Sequence, residues 1–202
     1  MNKLIMIGSG GHTEACIDVI ETENKYKIIG IIEKYKTGND KFVNYPILAI
    51  DKDLKKIKKK CKNAFISIGQ IKNWTIRAKK FDELISLGFN IPTIISPYSY
   101  VSKKSKIGSG SIVMHKAVVN SSVLIGKNCI INNRSLIEHG VRIGNHTHIS
   151  TGVIINGDCE VGNNSFVGSG SVVKEGVKIG NYCIVGMGQI VKKDIKDKQV
   201  VK

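Results

Sequence analysis

Hydrophobic side chains in the second half of the chain recur every six residues. From Ile95 to Val191, all seventeen positions at this spacing are isoleucine or valine. This period differs from the 3.6 residues of an amphipathic helix and from the two-residue alternation of a long strand. It is typical of short strands separated by tight turns, stacked so that the β-branched side chains form an internal column. We therefore predict a repetitive β domain over residues 93–202.

The other positions of the six-residue unit fit tight corners between such strands. Four residues after most of the aliphatic positions stands a small or short side chain, a rule that breaks at Gln189 and Ile195. Cys129, Cys159 and Cys183 occupy this position, so packing explains them. Glycine recurs directly after the aliphatic residue, where we expect it to allow turns with positive φ. These glycines are Gly108, Gly126, Gly144, Gly162, Gly168, Gly180 and Gly186.

Residues 1–92 show a different pattern, in which short apolar runs alternate with helical periodicity. The first apolar run ends in a glycine-rich loop, Gly8 to His12, and a helix follows the loop. Alternating strands and helices indicate a small, Rossmann-like parallel α/β domain. The predicted strands cover residues 4–7, 27–32 and 64–68, and the predicted helices carry Ala15, Cys16, Val19 and Ile20 on one face and cover residues 74–87.

Ligands of such domains bind at the carboxyl ends of the strands, beside glycine turns and helix N-termini. The glycine loop is an incomplete dinucleotide motif, because Thr13 stands where the last glycine is expected, and it could also be only a tight turn. Glu33, at the end of the second strand, could accept hydrogen bonds from a ribose or a base, or be an ordinary surface carboxylate. Gly69 follows the third strand at the same edge.

The chain is strongly basic, with 31 Lys and Arg against 16 Asp and Glu and a formal net charge of +15 over 202 residues. Such a charge favours anionic partners such as nucleotides, coenzyme A, nucleic acid or acidic membranes. Only three of the basic residues are arginine, and no basic motif is interleaved with aromatic residues, so we expect no nucleic-acid partner. The densest lysine run, residues 55–62, is expected to be a solvated helix face.

Five cysteines without a CxxC pair favour a reducing compartment and give no metal or catalytic-thiol motif. No apolar run approaches the roughly 20 residues of a membrane span, and the start of the chain does not resemble a secretory leader. We therefore expect a cytoplasmic protein without a membrane span.

A glycine-loop α/β domain followed by six-residue repeats resembles the bacterial sugar O- and N-acetyltransferases of the sialic acid O-acetyltransferase (NeuD) family. The relatives that acetylate UDP-4-amino-sugars, of the PglD type, share this layout. The resemblance extends over essentially the whole chain, and the segments IEKYKTG (residues 32–38) and INNRSLIEHG (residues 131–140) look closest to the sialic acid branch. It implies a left-handed parallel β-helix with three hexapeptides per coil, a homotrimer, and acetyl-CoA as co-substrate without a metal. The acceptor it implies is a sugar or a nucleotide-sugar.

The resemblance implies that His139 is the catalytic base, with Glu138 directly before it. His148 matches a histidine that lines the acetyl-CoA site. Either histidine could instead be a polar turn residue, and for His115 and His146 a structural role is expected. His139 and His148 are nine residues apart, half a coil, so they would lie on different faces and share a pocket only across two subunits.

The amino-sugar branch has an acidic residue after the base, whereas this chain has Gly140. The group that orients His139 therefore stays open, because neighbouring residues on a strand tend to point apart and Glu138 is disfavoured.

The resemblance also implies binding residues, although glycines and small side chains belong in such turns in any case. Backbone amides near Gly157, Ser169 and Met187 would hold the pantetheine arm and the thioester carbonyl. The residues at the positions where relatives bind the nucleotide of the acceptor are Gly10, Gly11, His12, Glu33, Lys34 and Gly69.

Three functions are compatible with these residues and motifs. The first is O-acetylation of a sialic acid-type sugar in surface-glycan synthesis, by direct attack on acetyl-CoA with His139 as base. The alternative is N-acetylation of a UDP-linked 4-amino-sugar, and the third is a non-catalytic trimeric scaffold. Family members usually continue past the last coil into a Gly-x-Pro-Ala-Lys segment, whereas this sequence stops at Lys202. We expect reduced contacts to the far end of coenzyme A, or a truncated chain.

Overall fold

The computed structural model describes residues 1–35, 38–71 and 73–202. Lys36 and Thr37, which belong to the IEKYKTG segment, and Lys72 lie outside the described residues. The N-terminal elements are β1 (Asn2–Ile7), α1 (Gly11–Glu23), β2 (Tyr26–Glu33), β3 (Lys41–Phe42), β4 (Tyr45–Ile50), α2 (Leu54–Lys60), β5 (Asn63–Ile66) and α3 (Thr75–Ser86), with a 3-10 turn at Asp51–Asp53.

These elements form a five-stranded sheet in the order β3-β4-β2-β1-β5. The strands β4, β2, β1 and β5 are parallel, and only the short β3 runs antiparallel, against β4. The predicted strands and helices of this domain are confirmed within two residues at each described end. The pair β3–β4 was missed because its side chains are mostly half-exposed and Pro46 interrupts the apolar run.

The second domain is a left-handed β-helix of two-residue strands, and a four-residue turn follows each strand except the last two. Strands 18 residues apart pair in parallel, as Leu136 does with Ile154. The strands are β6 (Ile94–Ile95), β7 (Tyr100–Val101), β8 (Lys106–Ile107), β9 (Ile112–Val113), β10 (Val118–Val119), β11 (Leu124–Ile125), β12 (Ile130–Ile131), β13 (Leu136–Ile137), β14 (Arg142–Ile143), β15 (His148–Ile149), β16 (Ile154–Ile155), β17 (Glu160–Val161), β18 (Phe166–Val167), β19 (Val172–Val173), β20 (Lys178–Ile179), β21 (Ile184–Val185), β22 (Ile190–Val191) and β23 (Val200–Val201).

The strands form three sheets, which are the faces of a prism. The docked face (β6, β9, β12, β15, β18, β21 and β23) contacts the N-terminal domain over its first coils. The apolar face (β7, β10, β13, β16, β19 and β22) carries the outward side chains Tyr100, Val118, Leu136, Ile154, Val172 and Ile190, and the charged face (β8, β11, β14, β17 and β20) carries Lys106, Leu124, Arg142, Glu160 and Lys178.

The interior is the predicted column of isoleucine and valine, closed at the corners by small residues such as Cys129 and Cys159, both fully buried. The glycines that follow the aliphatic positions were predicted to allow positive φ, but the structure gives a different reason for them. Positive φ occurs two residues later, at every sixth position from Gly110 to Gly188. A Cβ on Gly162 would instead lie 2.6 Å from the backbone of the next coil, so the glycine column is required for close stacking.

The two domains share a hydrophobic core. Leu4, Met6 and Cys16 of the α/β domain pack with Ile112 and Ile130 of the docked face. The strands and helix of the first domain therefore have a fixed position beside the first coils. In the described part of the chain, no helix is long and apolar enough to cross a membrane.

Candidate active site

His139 lies exposed in the turn that follows β13, at the corner between the apolar and charged faces. Its ring lies against Gly157, which occupies the same place one coil later. A Cβ on Gly157 would stand 2.7 Å from Cε1 and 2.8 Å from Nε2 of the ring. The missing side chain at Gly157 therefore makes room for the imidazole.

The carboxylate of Glu138 is bound by groups other than this imidazole. Its Oε2 accepts a hydrogen bond from Nδ2 of Asn120 at 2.9 Å and one from the backbone amide of His139 at 3.3 Å. The carboxylate thus binds the main chain of the neighbouring residue, and the direct catalytic role predicted for Glu138 has no contact to support it.

His148 lies on the docked face, whereas the strand before His139 belongs to the apolar face. The two histidines are thus on different faces, as their spacing predicts. His148 is a strand residue and buried, so it is not a turn residue. Its Nδ1 donates to the carbonyl of Gln70 at 2.5 Å, and its ring meets Phe166 edge-on. His148 therefore holds the α/β domain to the β-helix.

A cavity of about 600 Å³ lies beyond His148, where the docked face emerges from under the α/β domain. Ser169 and Met187 line it from the turns, and Met187 is 78% exposed. Phe166 and Ile71 supply apolar surface. The cavity has the mixed character of sites that bind an extended organic ligand.

Ser169 and Met187 lie at the corner between the docked and apolar faces, whereas Gly157 and His139 lie at the opposite edge of the apolar face. One copy of the chain therefore brings the predicted base together with Gly157 but not with Ser169 or Met187.

A second cavity, of about 450 Å³, lies at the carboxyl ends of β1 and β2. Gly8, Ser9 and Lys34 line it, with Lys79 and Lys80 from α3. Ser9 donates from Oγ to Oε1 of the buried Glu33 at 2.6 Å, which fixes the loop to the end of the second strand. This is the edge at which the sequence predicts ligand binding, and its lysines suit an anionic group.

The other predicted binding residues of this domain divide between the loop and the domain junction. Gly10 is the N-cap of α1, and Gly11 begins the helix with open space around it. His12 is largely buried between the domains, with Gly69 packed against it. Burial, helped by the charge of Arg77, lowers the pKa of His12 to about 3.

Arg77 and Gln70 are junction residues that the sequence pattern did not single out. Arg77 is fully buried and donates to the carbonyls of Ile66 and Ile68 in one domain and to that of Asn128 in the other. Gln70 donates from Nε2 to the carbonyl of His146 at 2.7 Å. An arginine among the apolar positions of α3, in a chain where lysine is the usual basic residue, was the available signal.

His115 and His146 have the structural roles expected of them. His115 bridges Ser96 and Asp18, at 2.6 and 2.8 Å, and so ties α1 to the β-helix. Nδ1 of His146 accepts a hydrogen bond from Nδ2 of Asn128 at 2.9 Å. A groove of about 650 Å³ over the charged face contains none of the predicted site residues. The described residues contain no cluster suited to a metal ion.

Comparison with known families matches three parts of the chain. Residues 3–84 match the PglD N-terminal domain. Residues 117–156 match the hexapeptide repeat of succinyl-transferase, and residues 158–188 match the bacterial transferase hexapeptide. No match was found among curated protein sequences.

Several solved structures are similar over nearly the whole chain. PerB from Caulobacter crescentus, in complex with CoA and GDP-perosamine, has 26% identity and a TM-score of 0.91, covering 99% of this chain and 93% of its own. The acetyltransferase domain of PglB from Neisseria gonorrhoeae, in complex with acetyl coenzyme A, has 25% identity and a TM-score of 0.91, covering 99% and 96%. WeeI from Acinetobacter baumannii, at 23% identity and a TM-score of 0.85, covering 100% and 97%, shows the same fold.

The fold and these matches define the chain as an acyltransferase built from hexapeptide repeats. The domain before the β-helix matches the PglD N-terminal domain. A solved structure that is 26% identical to this chain is a perosamine N-acetyltransferase from Caulobacter crescentus.

Proposed function

We propose that this chain transfers an acetyl group from acetyl-CoA to the amino group of a nucleotide-linked amino-sugar. The observation that carries the proposal is the likeness, over 99% of the chain, to an N-acetyltransferase holding CoA and GDP-perosamine. It favours N-acetylation over the O-acetylation of a sialic acid-type sugar, the function that the sequence motifs placed first. Both reactions use the same cofactor and the same kind of base.

In this reaction the amine nitrogen attacks the thioester carbonyl. As the C–N bond forms, His139 takes a proton from the nitrogen. The C–S bond then breaks, and the coenzyme A thiolate leaves and receives a proton, so that the products are an amide and free thiol. An exposed imidazole in a turn is suited to this task, and no covalent acyl-enzyme is required. Backbone amides near Gly157, Ser169 and Met187 are proposed to bind the thioester oxygen and the pantetheine arm.

The acceptor is proposed to lie with its nucleotide in the cavity at the end of β1 and β2. Lys34 and Lys79 line this cavity and would attract the diphosphate, whereas Lys80 is already paired with Asp51 and Glu83, which line the cavity too. The glycine loop, with Gly10, Gly11 and His12, begins α1 beside it, and Glu33 and Gly69 complete the same edge. The mostly apolar cavity at Ser169 and Met187 is proposed to hold the pantetheine arm of CoA, and His148 packs behind it against Phe166, which lines the cavity.

The active site is proposed to be completed between copies of the chain, as a homotrimer. The outward side chains along the apolar face are half-exposed, and Tyr100 and Ile190 at its ends are 60% and 68% exposed. His139 stands at one edge of this face and Met187 at the other. Three copies could pack around a threefold axis with their apolar faces turned toward it. This packing would bring the base of one copy to the cofactor residues of the next.

A reducing, cytoplasmic location agrees with the five cysteines, all of which are free and buried. It is also where acetyl-CoA and nucleotide-sugars would be available to such an enzyme.

The test is transfer of labelled acetyl from acetyl-CoA, with acceptors offered side by side. These are a GDP- and a UDP-linked 4-amino-sugar, free sialic acid and its CMP conjugate. We expect label on an amino-sugar and at least a hundredfold loss in His139→Ala at unchanged melting temperature. Label on a sialic acid species would establish O-acetylation instead. Equal transfer by His139→Ala would remove the proposed base, and no transfer to any acceptor by the wild type would favour a scaffold.

A further inference from the structure

The carboxylate that would support His139 is absent from its own turn. A base that gains a proton in the transition state works better when a carboxylate fixes its tautomer and stabilises the cation. Glu138 is bound to Asn120 and to a backbone amide, and Gly140 has no side chain. Any supporting group for His139 matters only if this histidine is the base, as the proposed function requires.

Asp158 occupies the position of Gly140 one coil later, 18 residues on. Both residues are the positive-φ members of their turns, with φ of 58° and 70°. The backbone amide of Asp158 donates to the carbonyl of His139 at 3.0 Å, which ties the two turns together. The Asp158 side chain extends back over Gly140, and a Cβ built on Gly140 would overlap its Oδ1.

The carboxylate of Asp158 therefore takes the place of a side chain at position 140, directly beside the base. The His139 ring leans the other way, onto Gly157, so the two side chains enter the same gap between adjacent coils from opposite sides. No side chain of Gly140 or Gly157 stands between them. Among the described residues no side chain hydrogen-bonds the imidazole, so its ring nitrogens are available to the carboxylate of the next coil.

We propose that Asp158 is the positioning residue of His139, supplied by the next coil rather than by the residue after the base. This role rests on the proposed function. Asp158 selects the tautomer whose free nitrogen faces the acceptor and stabilises the imidazolium that forms during transfer. Gly140 has a defined part in this arrangement, because any side chain there would displace the carboxylate.

The first test is Asp158→Asn. Asparagine suits the left-handed turn conformation and keeps the shape, so the fold is retained. We expect kcat to fall roughly 10- to 100-fold with KM within about twofold, and the acid limb of the pH–rate profile to move. The charged groups that neighbouring coils place at this corner are Glu138, Lys174 and Glu175. Glu175→Gln, which removes the same charge farther from Gly140, is the control and keeps wild-type kinetics.

The second test moves the carboxylate. In the double variant Gly140→Asp with Asp158→Gly, the acid returns to the residue after the base, and aspartate tolerates positive φ better than most residues. Recovery of at least about a third of wild-type kcat, when Asp158→Gly alone is impaired, supports a positioning role. Failure to recover in a variant of wild-type melting temperature overturns it.

A third readout needs no substrate. The ¹⁵N chemical shifts of the His139 ring report its tautomer. We expect one tautomer to dominate in the wild type and in Glu175→Gln, and a mixture in Asp158→Asn. Unchanged shifts and unchanged kcat in Asp158→Asn overturn the proposal and leave the proposed function intact. A changed tautomer in a chain that acetylates no amino-sugar supports the pairing and rejects the function.

Discussion

The position of His139 depends on a side chain that is absent. The imidazole lies where a Cβ of Gly157 would be, with the nearest ring atom 2.7 Å from that point. Gly157 has no positive φ, so alanine can adopt its backbone conformation without strain. The residue is thus required by the site and not by the turn.

Gly157→Ala is expected to reduce kcat at least 10-fold while leaving the melting temperature within about 2 °C of wild type. The added methyl displaces the ring, and a displacement of about 1 Å can cost a hundredfold in rate. Steady-state kinetics and thermal unfolding check this. Ser121→Ala, in the same column two coils before Gly157, should behave as wild type. Full activity of Gly157→Ala would mean that the ring is placed by something else.

At the scale of the strand and turn, stacking is fixed by two columns at the corner after the charged face. One is glycine, and the other is a series of side-chain amides. Asn163 accepts at Oδ1 from the backbone amide of Asn145 at 2.7 Å, and Asn181 accepts likewise from Asn163 at 2.8 Å. Asp197 closes the series on Asn181. These amides satisfy backbone donors that a turn would otherwise leave unpaired.

Gly162→Ala is expected to destabilise the β-helix by about 1–3 kcal/mol, because its methyl meets backbone of the next coil rather than a movable ring. The measurement is denaturant or thermal unfolding, with Gly157→Ala as the matched glycine control. If both variants unfold at the same temperature, the close approach at Gly162 is relieved by a small backbone shift.

At the scale of the molecule, the apolar face decides whether chains associate. Leu136→Lys, in the middle of this face, should convert the proposed trimer into monomers, because it would bury an unpaired charge. Leu124→Lys is the control, since it makes the same change on the charged face. Light scattering on the eluted protein gives the mass. A trimeric Leu136→Lys would place the interface elsewhere, and the monomer should also lose acetyl transfer.

The domain junction is expected to weaken in mild acid. Burial lowers the pKa of His148 to about 4 and that of His12 to about 3, so both are neutral in the folded chain. The unfolded chain takes up these protons below pH about 6.5. Stability therefore falls as the pH drops from 7 to 5, by up to about 1.4 kcal/mol per unit for each histidine.

His148→Asn keeps a hydrogen-bond donor toward the Gln70 carbonyl and removes one titratable side chain from the junction. Its melting temperature should fall less than that of the wild type between pH 7 and 5. Ser150→Ala, a non-titrating change on the same face, should keep the wild-type dependence. If the melting temperatures of wild type and His148→Asn fall equally between pH 7 and 5, His148 is not a source of the acid destabilisation.

The sequence by itself determined the β-helix, because seventeen inward positions at one spacing leave a single way to bury them. It also determined the α/β unit and placed His139 in an exposed turn. Tertiary structure decided what lies 18 or more residues away: Gly157 against the ring, Asp158 over Gly140, and Gln70 and Arg77 across the junction. The local sequence pattern does not predict such contacts, because each depends on which coil or domain packs beside the residue.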